Sequence, residues 1–255
     1  ILKNYSITLP SYSIGDNVYS KIGEICEPYG KKVICIGGKT AISKVRDLII
    51  NECNGTSLEI LDFLWYGGDA TYENVNTLKE NELVKKADII FGIGGGKALD
   101  TAKALAYITN KEIFTFPTIA SNCAGTTAVS IMYNADGSFK EPFFFTSPAR
   151  HCFIYTPVIA KSPAKYMWAG IGDTYAKYFE AEMSSRGEDL VHYHALGVTT
   201  SQMCLTPLLK YGKKALDDFK SGTASFEVEQ VVLGIIVTTG IASILLTNEH
   251  IIDYN

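Results

Sequence analysis

Paired cysteines and an excess of positive charge are both missing from this 255-residue sequence. The six cysteines (Cys26, Cys35, Cys53, Cys123, Cys152 and Cys204) form no C-x-x-C pair, and no Cys/His cluster has zinc-finger spacing. Neither a structural zinc module nor a disulfide framework is expected. Several cysteines stand in apolar runs, as Cys35 does in Val33-Ile34-Cys35-Ile36, and read as buried free thiols of a reducing compartment. Lys and Arg number 23 against 27 Asp and Glu, a formal net charge of −4. That gives no steer toward nucleic acid or an anionic membrane, since both require a basic face. A basic stretch followed by an apolar one is absent from Ile1-Leu2-Lys3-Asn4-Tyr5, so no secretory leader is expected and a cytoplasmic location is. The first residue is Ile rather than Met, which points to trimming or to residues outside this chain. The most apolar run, Val231 to Leu246, contains Gly234, Thr238, Thr239, Gly240 and Ser243 and is short for a bilayer span, so a buried helix is expected.

What is present is globular: 47% hydrophobic and 20% charged residues exclude disorder as the main state. The length allows one large domain or two ordinary ones. Lys32 to Gly37 is a short β-branched run closed by Gly37-Gly38, as a buried parallel strand should be. Ala41 to Asn51 carries the helical stripe Ile42, Val45, Leu48 and Ile49. Strands are expected at Ser57 to Leu64, Ala87 to Ile93 and Glu112 to Thr118, with helices at Tyr72 to Lys86 and Ala98 to Ile108. This alternation implies a parallel sheet with right-handed crossovers. Asp136-Gly137 marks a hairpin between Ala128 to Tyr133 and Phe139 to Phe145, and Phe153 to Tyr155 is a further short strand. After Ser162 the pattern is helical only. Ser162-Pro163 reads as an N-cap followed by Pro at the first position, with helices over 163–169, 172–184, 189–211 and 226–247. The fold class expected is an α/β parallel-sheet domain over residues 1–160, followed by an incomplete all-α domain over 161–255.

The most informative segment is Phe91-Gly92-Ile93-Gly94-Gly95-Gly96-Lys97-Ala98-Leu99-Asp100-Thr101-Ala102-Lys103, a strand running through three glycines into a helix. Glycines let the backbone approach a ligand closely, and the helix N-terminus favours an anion such as pyrophosphate. Neither G-x-G-x-x-G nor G-K-[ST] is present, so a tight turn without a ligand stays open. Asp100 and Lys103 fall on one helix face. They make either a surface ion pair or a brace, with Asp100 accepting N–H bonds from the glycine turn.

Gly94-Gly95-Gly96-x-x-x-Asp100-x-x-Lys103 resembles the pattern of the iron-containing alcohol dehydrogenases and the related dehydroquinate synthase-like fold. Phe116-Pro117-Thr118-Ile119-Ala120-Ser121 and Ala160-Lys161-Ser162-Pro163-Ala164 through Gly170-Ile171-Gly172-Asp173 are similar, in order, to segments of the glycerol dehydrogenase branch. The resemblance implies a Rossmann-like N-terminal domain that binds NAD or NADP. Gly94, Gly95, Gly96 and Lys97 would hold the pyrophosphate, Thr118 and Ser121 would touch the cofactor, and Thr127, Val129 and Tyr133 would line its nicotinamide side. Gly37-Gly38-Lys39 offers no carboxylate for an adenosine ribose, and a lysine there could meet a 2′-phosphate.

The resemblance also implies Zn²⁺ or Fe²⁺ held by one Asp and two His, polarising an alcohol while hydride passes to the nicotinamide. Asp173 is the matching carboxylate, expected at a helix N-terminus after Gly172. His192 and His194 are two apart and diverge on a helix. His151 lies in the α/β part, and the surroundings of His250 do not match. The two ligand histidines are therefore expected beyond Asn255, and the chain reads as truncated, with little alcohol oxidation of its own. Cys123 stands where that branch carries an Asp near the substrate hydroxyls, which leaves a polyol substrate open.

The leading expectation is a metal-dependent oxidoreductase acting on a small alcohol or polyol. A relative using a phosphorylated polyol is the alternative, with Lys161, Lys165 and Lys177 as phosphate ligands. A nucleotide-binding remnant without catalysis is another. Helices over 189–211 and 226–247 are expected to leave apolar surface uncovered, so a homo-oligomer is expected.

Overall fold

A computed structural model of the chain describes residues 4–247. Its eight strands are β1 Tyr12–Gly15, β2 Lys32–Gly37, β3 Glu59–Trp65, β4 Ile89–Gly94, β5 Glu112–Pro117, β6 Val129–Tyr133, β7 Phe139–Phe144 and β8 His151–Tyr155. Six of them form one parallel sheet in the order β3-β2-β4-β5-β8-β1. β6 and β7 make a separate antiparallel hairpin, turned at Gly137, whose φ is +82°.

Each central strand is buried on both faces, as helical crossovers require. In β2, Val33 and Cys35 go to one face, Ile34 and Ile36 to the other. On the first face α1 (Ile22–Cys26) and α2 (Lys39–Cys53) bring Ile22, Val45 and Ile49 against Phe91, Phe114, Phe116 and Phe153. On the second face lie α3 (Tyr72–Lys79), α4 (Glu82–Lys86) and α5 (Gly96–Thr109). Their Val75, Leu78, Val84, Ala102 and Leu105 pack on Ile34, Ile36 and Ile90. The expected single helix over Tyr72 to Lys86 is two, because Asn81 starts a new one by accepting the Leu83 N–H at 2.8 Å.

From β2 the chain places β3 on one side, then crosses back to place β4 on the other. The order of the sheet reverses between β2 and β4, the place where open α/β sheets bind ligands beyond their strand ends.

Helices follow: α6 Thr156–Ala160, α7 Ala164–Ser184, α8 His192–Ser201, α9 Thr206–Lys220, α10 Phe226–Leu233 and α11 Thr239–Thr247. Gly234–Thr238 joins the last two as a π-helical turn. This region departs from the sequence reading in four ways. α7 runs unbroken through Gly170 and Gly172. A Cβ on Gly170 would strike the Ala120 carbonyl, so this glycine is where the helix touches the loop after β5. The expected helix over 189–211 is interrupted by a 3₁₀ turn at Gln202–Cys204, and Pro207 lies in the first turn of α9, where it fits a helix start and not a continuing helix. Ser162 does not cap α7: Pro163 holds the cap position without a side-chain bond, and the Ser162 Oγ is buried with no partner among the described residues.

The fourth departure is that the helix expected over 226–247 does not leave its apolar surface uncovered: Val231 to Leu246 is mostly buried, as the buried-helix reading of that run expected. Val228, Val231, Val232, Ile235 and Ile236 pack with Leu208, Ala215 and Phe219 of α9, Met167 of α7 and Ile154 of β8. By length and composition Phe226–Thr247 could cross a membrane, and here most of it is inside the protein. Exposed apolar side chains are found at Trp168 and Met183 on α7, at Leu196, Met203 and Leu209 within 189–211, and at Phe226 where α10 begins.

Candidate functional site

β4 enters α5 through a turn that has no room for side chains. Gly94 sits at φ +142°, a conformation costly to residues with a Cβ. A Cβ on Gly95 would come 2.5 Å from Ile119 Cδ1, and one on Gly96 would come 2.5 Å from Asn122 Nδ2. The neighbouring strand ends are tied to the same turn. The Gly38 N–H donates to the Ile93 carbonyl at 3.4 Å, and the Thr118 N–H donates to the Gly94 carbonyl at 3.1 Å. The first N–H groups of α5 have no acceptor inside the helix. They belong to Gly96, Lys97 and Ala98, which line a cleft of about 620 Å³ between the sheet and the helical region.

That cleft brings together Gly94, Gly95, Gly96, Lys97, Asp100, Ser121, Cys123, Thr127, Val129, Tyr133 and Asp173. Thr118 lines an adjoining cleft of about 530 Å³. Gly95, Ile119, Ala41 and Tyr166 belong to both, so the two clefts meet at the glycine turn. Tyr66, Asn122, Tyr166 and Ser243 also line the first cleft and had no local signal in the sequence, because each arrives from a different element. Gly38 was legible, as a glycine closing a strand.

Lys97 extends from the turn to Asp69, 2.6 Å away, with its ammonium over the Tyr133 ring at 4.7 Å. Asp100 does not brace the glycine turn. Its carboxylate meets Lys103 at 3.0 Å and accepts the Ile131 N–H of β6 at 3.3 Å. Lys103 continues to the Thr127 hydroxyl at 3.0 Å and the Val129 carbonyl at 2.6 Å. The pair is not a surface pair either: its side chains are 2% and 9% exposed. Burial pushes the Asp100 carboxyl up, with Lys103 pulling against it. The pair staples the hairpin to α5, and so fixes the wall formed by Thr127 and Val129.

At the far end Asp173 lies inside α7 and not at the helix N-terminus expected after Gly172. Desolvation raises its carboxyl, Glu180 adds to that, and Lys177 opposes it. The half-buried Cys123 thiol is pushed up to about 12, by burial first and then by the charge of Asp173. It is a protonated thiol, without the lowered pKa of a reactive one. Lys177 donates to Glu180 at 2.6 Å.

Among the described residues the histidines stay apart from this place. His151 is buried in β8 between the Ser11 hydroxyl at 2.7 Å and the Ser13 hydroxyl at 2.9 Å. Burial lowers its pKa to about 4, so it is neutral. His192 and His194 stand at the start of α8, and His250 lies outside the described residues. Among the described residues no three His, Cys, Asp or Glu groups come together as a metal site. The glycine turn therefore has the shape and free N–H groups that a dinucleotide pyrophosphate requires. The far end offers one carboxylate, Asp173, where a catalytic zinc takes three protein ligands.

Known proteins give the same fold. The chain is 27% identical over 225 residues to a glycerol dehydrogenase of Escherichia coli, covering 87% of this chain and 61% of that one. It is 34% identical over 171 residues to a glycerol dehydrogenase of Thermotoga maritima, covering 66% and 47%. The crystal structure of glycerol dehydrogenase from Schizosaccharomyces pombe superposes with a TM-score of 0.85 at 24% identity, over 94% of this chain and 62% of that one. The chain thus spans less than two thirds of the length of each of these relatives. The family model for iron-containing alcohol dehydrogenase matches residues 10–153. With more than half of its residues matched, and with its glycine turn at the reversal point of the sheet, the chain belongs to the iron-containing alcohol dehydrogenase family.

Proposed function

We propose that the chain binds a nicotinamide dinucleotide, NAD or NADP, at its glycine turn and serves hydride transfer between that cofactor and a small alcohol or polyol, as an oxidoreductase of the glycerol dehydrogenase type. The observation that carries the reading is the pair of clefts joined at Gly95. A dinucleotide is two arms on a pyrophosphate, and the joint offers helix N–H groups to the pyrophosphate. The nicotinamide arm takes the first cleft, against Thr127, Val129 and Tyr133, with Ser121 and Lys97 nearer the pyrophosphate. The carbinol carbon then lies toward Cys123 and Asp173. Cys123 presents a neutral thiol there, a weak acceptor for extra hydroxyls, which favours a substrate with few of them.

The family name implies a metal, and Asp173 is this chain's candidate ligand for Zn²⁺ or Fe²⁺. The described residues do not complete a site around it. The phosphorylated-polyol reading is weakened by its three lysines. Lys161 lines the other cleft, Lys165 lies over the Tyr166 ring, and Lys177 is held by Glu180. A cytoplasmic, self-associating enzyme is part of the proposal, supported by free buried thiols and by the exposed Trp168, Met183 and Leu209.

Fluorescence titration with NADH and NADPH tests the reading. The parent chain is expected to bind at least one of the two. Gly95→Val, with unchanged circular dichroism, is expected to lose about 100-fold in affinity, close to 2.7 kcal/mol. Equal binding by parent and variant would show that the glycine turn has been misassigned.

A further inference from the structure

We infer that the cofactor of this chain carries a 2′-phosphate on its adenosine ribose, so that the site selects NADP(H), with Lys44 as the residue that reads the phosphate. This rests on the dinucleotide reading above and narrows it.

The second cleft suits the adenosine arm. Leu48, Tyr155, Pro157 and Val158 give it apolar walls for a flat purine, and it lacks the chemistry of the Asp173 end. Its lining contains no Asp or Glu. The end of β2, where an acid would take the ribose hydroxyls, is Gly37-Gly38-Lys39. An adenosine with two free hydroxyls therefore meets no carboxylate acceptor here.

A phosphate, by contrast, meets several donors. α2 is a 15-residue helix capped by Gly38, and its first turn adjoins the glycine turn of α5. A Cβ on Gly94 would lie 3.6 Å from the Ala41 Cβ and 3.8 Å from the Gly38 nitrogen. Two helix N-termini thus converge, one for the pyrophosphate and a second for another anion. Thr40 and Lys44 are four apart on α2, share a face, and both line the cleft. The nearby cations differ in how they are engaged. Lys97 is paired with Asp69, and Lys39 sits over the Trp65 ring at 4.6 Å. Lys44 and Lys161, both in the lining of this cleft, have no salt-bridge partner among the described residues; of the two, Lys44 stands on α2 beside Thr40, and its exposed ammonium is what a phosphate can recruit.

Calorimetric titration of the chain with NADPH and with NADH, repeated on Lys44→Glu and Lys44→Ala, is the test. Lys44 is on an exposed helix face, so both variants should fold, which thermal melting verifies. The parent should bind NADPH at least about tenfold tighter than NADH, and each variant should move that ratio by about tenfold or more toward NADH, the size of one charge-assisted contact. NADH binding as tightly as NADPH to the parent would overturn the inference and leave the dinucleotide reading intact. A ratio unmoved by either variant would overturn the role of Lys44. Failure of both nucleotides to bind the parent would overturn the dinucleotide reading itself, and the inference with it.

Discussion

The sheet region and the helical region use glycine for opposite purposes. At the sheet, Gly37 and Gly94 end strands, and Gly38 and Gly95 precede helices, so the residue marks a change of local structure. In the helical region Gly170, Gly197 and Gly240 sit inside helices that do not break. A Cβ on Gly170 would strike the Ala120 carbonyl, one on Gly197 would come 2.8 Å from Leu246 Cγ, and one on Gly240 would strike the Thr126 hydroxyl. There the residue marks where a helix touches something distant in sequence. The two regions also differ in polar chemistry. The sheet side holds a buried ion pair, Asp100–Lys103, whereas Lys213–Asp217 and Lys214–Asp218 in the helical region lie at the surface.

That contrast can be broken by mutation, and the largest effect should come from the ion pair. Asp100→Ala leaves the Lys103 ammonium buried without its carboxylate and should cost about 3–5 kcal/mol in chemical denaturation. Replacing both partners, Asp100→Leu with Lys103→Met, should recover part of that loss. A cost for Asp100→Ala below about 1 kcal/mol would put the pair with ordinary surface pairs and remove the distinction.

Next in size is the apolar core of the helical region. Ile236 is fully buried in the π turn between α10 and α11, and Ile236→Ala should cost about 2–4 kcal/mol by loss of contact and the cavity left behind. A neutral result would mean that the last helix is not held by this cluster.

A smaller effect, dependent on pH, belongs to β8, the strand between β5 and β1. His151 has a folded-state pKa of about 4 against an ordinary value of 6.5. The unfolded chain therefore takes up a proton below pH 6.5 that the fold refuses. Stability should fall as pH drops through 6.5 and level off below about 4, by about 2–3 kcal/mol in full. His151→Gln should flatten this slope between pH 7 and pH 4.5 in urea titrations, and an unchanged slope would assign it to other groups. Smallest of all, Lys213→Ala removes an ion pair whose lysine is 95% exposed, and no measurable change in the melting midpoint is expected.

The sheet strands and the hairpin were legible because their signals are local. A β-branched run closed by glycine, or an Asp-Gly turn, acts through the steric demands of the few residues that carry it. The glycine turn was legible for the same reason, and so was the hairpin at Asp136-Gly137. β1 was missed: its four residues, Tyr12–Gly15, owe their strand to pairing with β8, which is 140 residues away in sequence. The joining of Tyr72 to Lys86 into one helix was an error of the same kind on a smaller scale, since apolar periodicity ran through a cap at Asn81.

What the sequence determined by itself was the succession of strands from β2 to β8, the glycine turn at the end of β4, and the absence of a carboxylate after β2. Only the tertiary structure decided that Asp100 and Lys103 are a buried staple to the hairpin and not a brace for the turn. It also decided which elements cover the apolar run from Val231 to Leu246, namely α7, α9 and β8, and that Gly95 joins two clefts. The physical reason is common to all three. Burial and cavity shape are sums over residues brought together from distant parts of the chain, and no window of sequence contains both sides of such a contact.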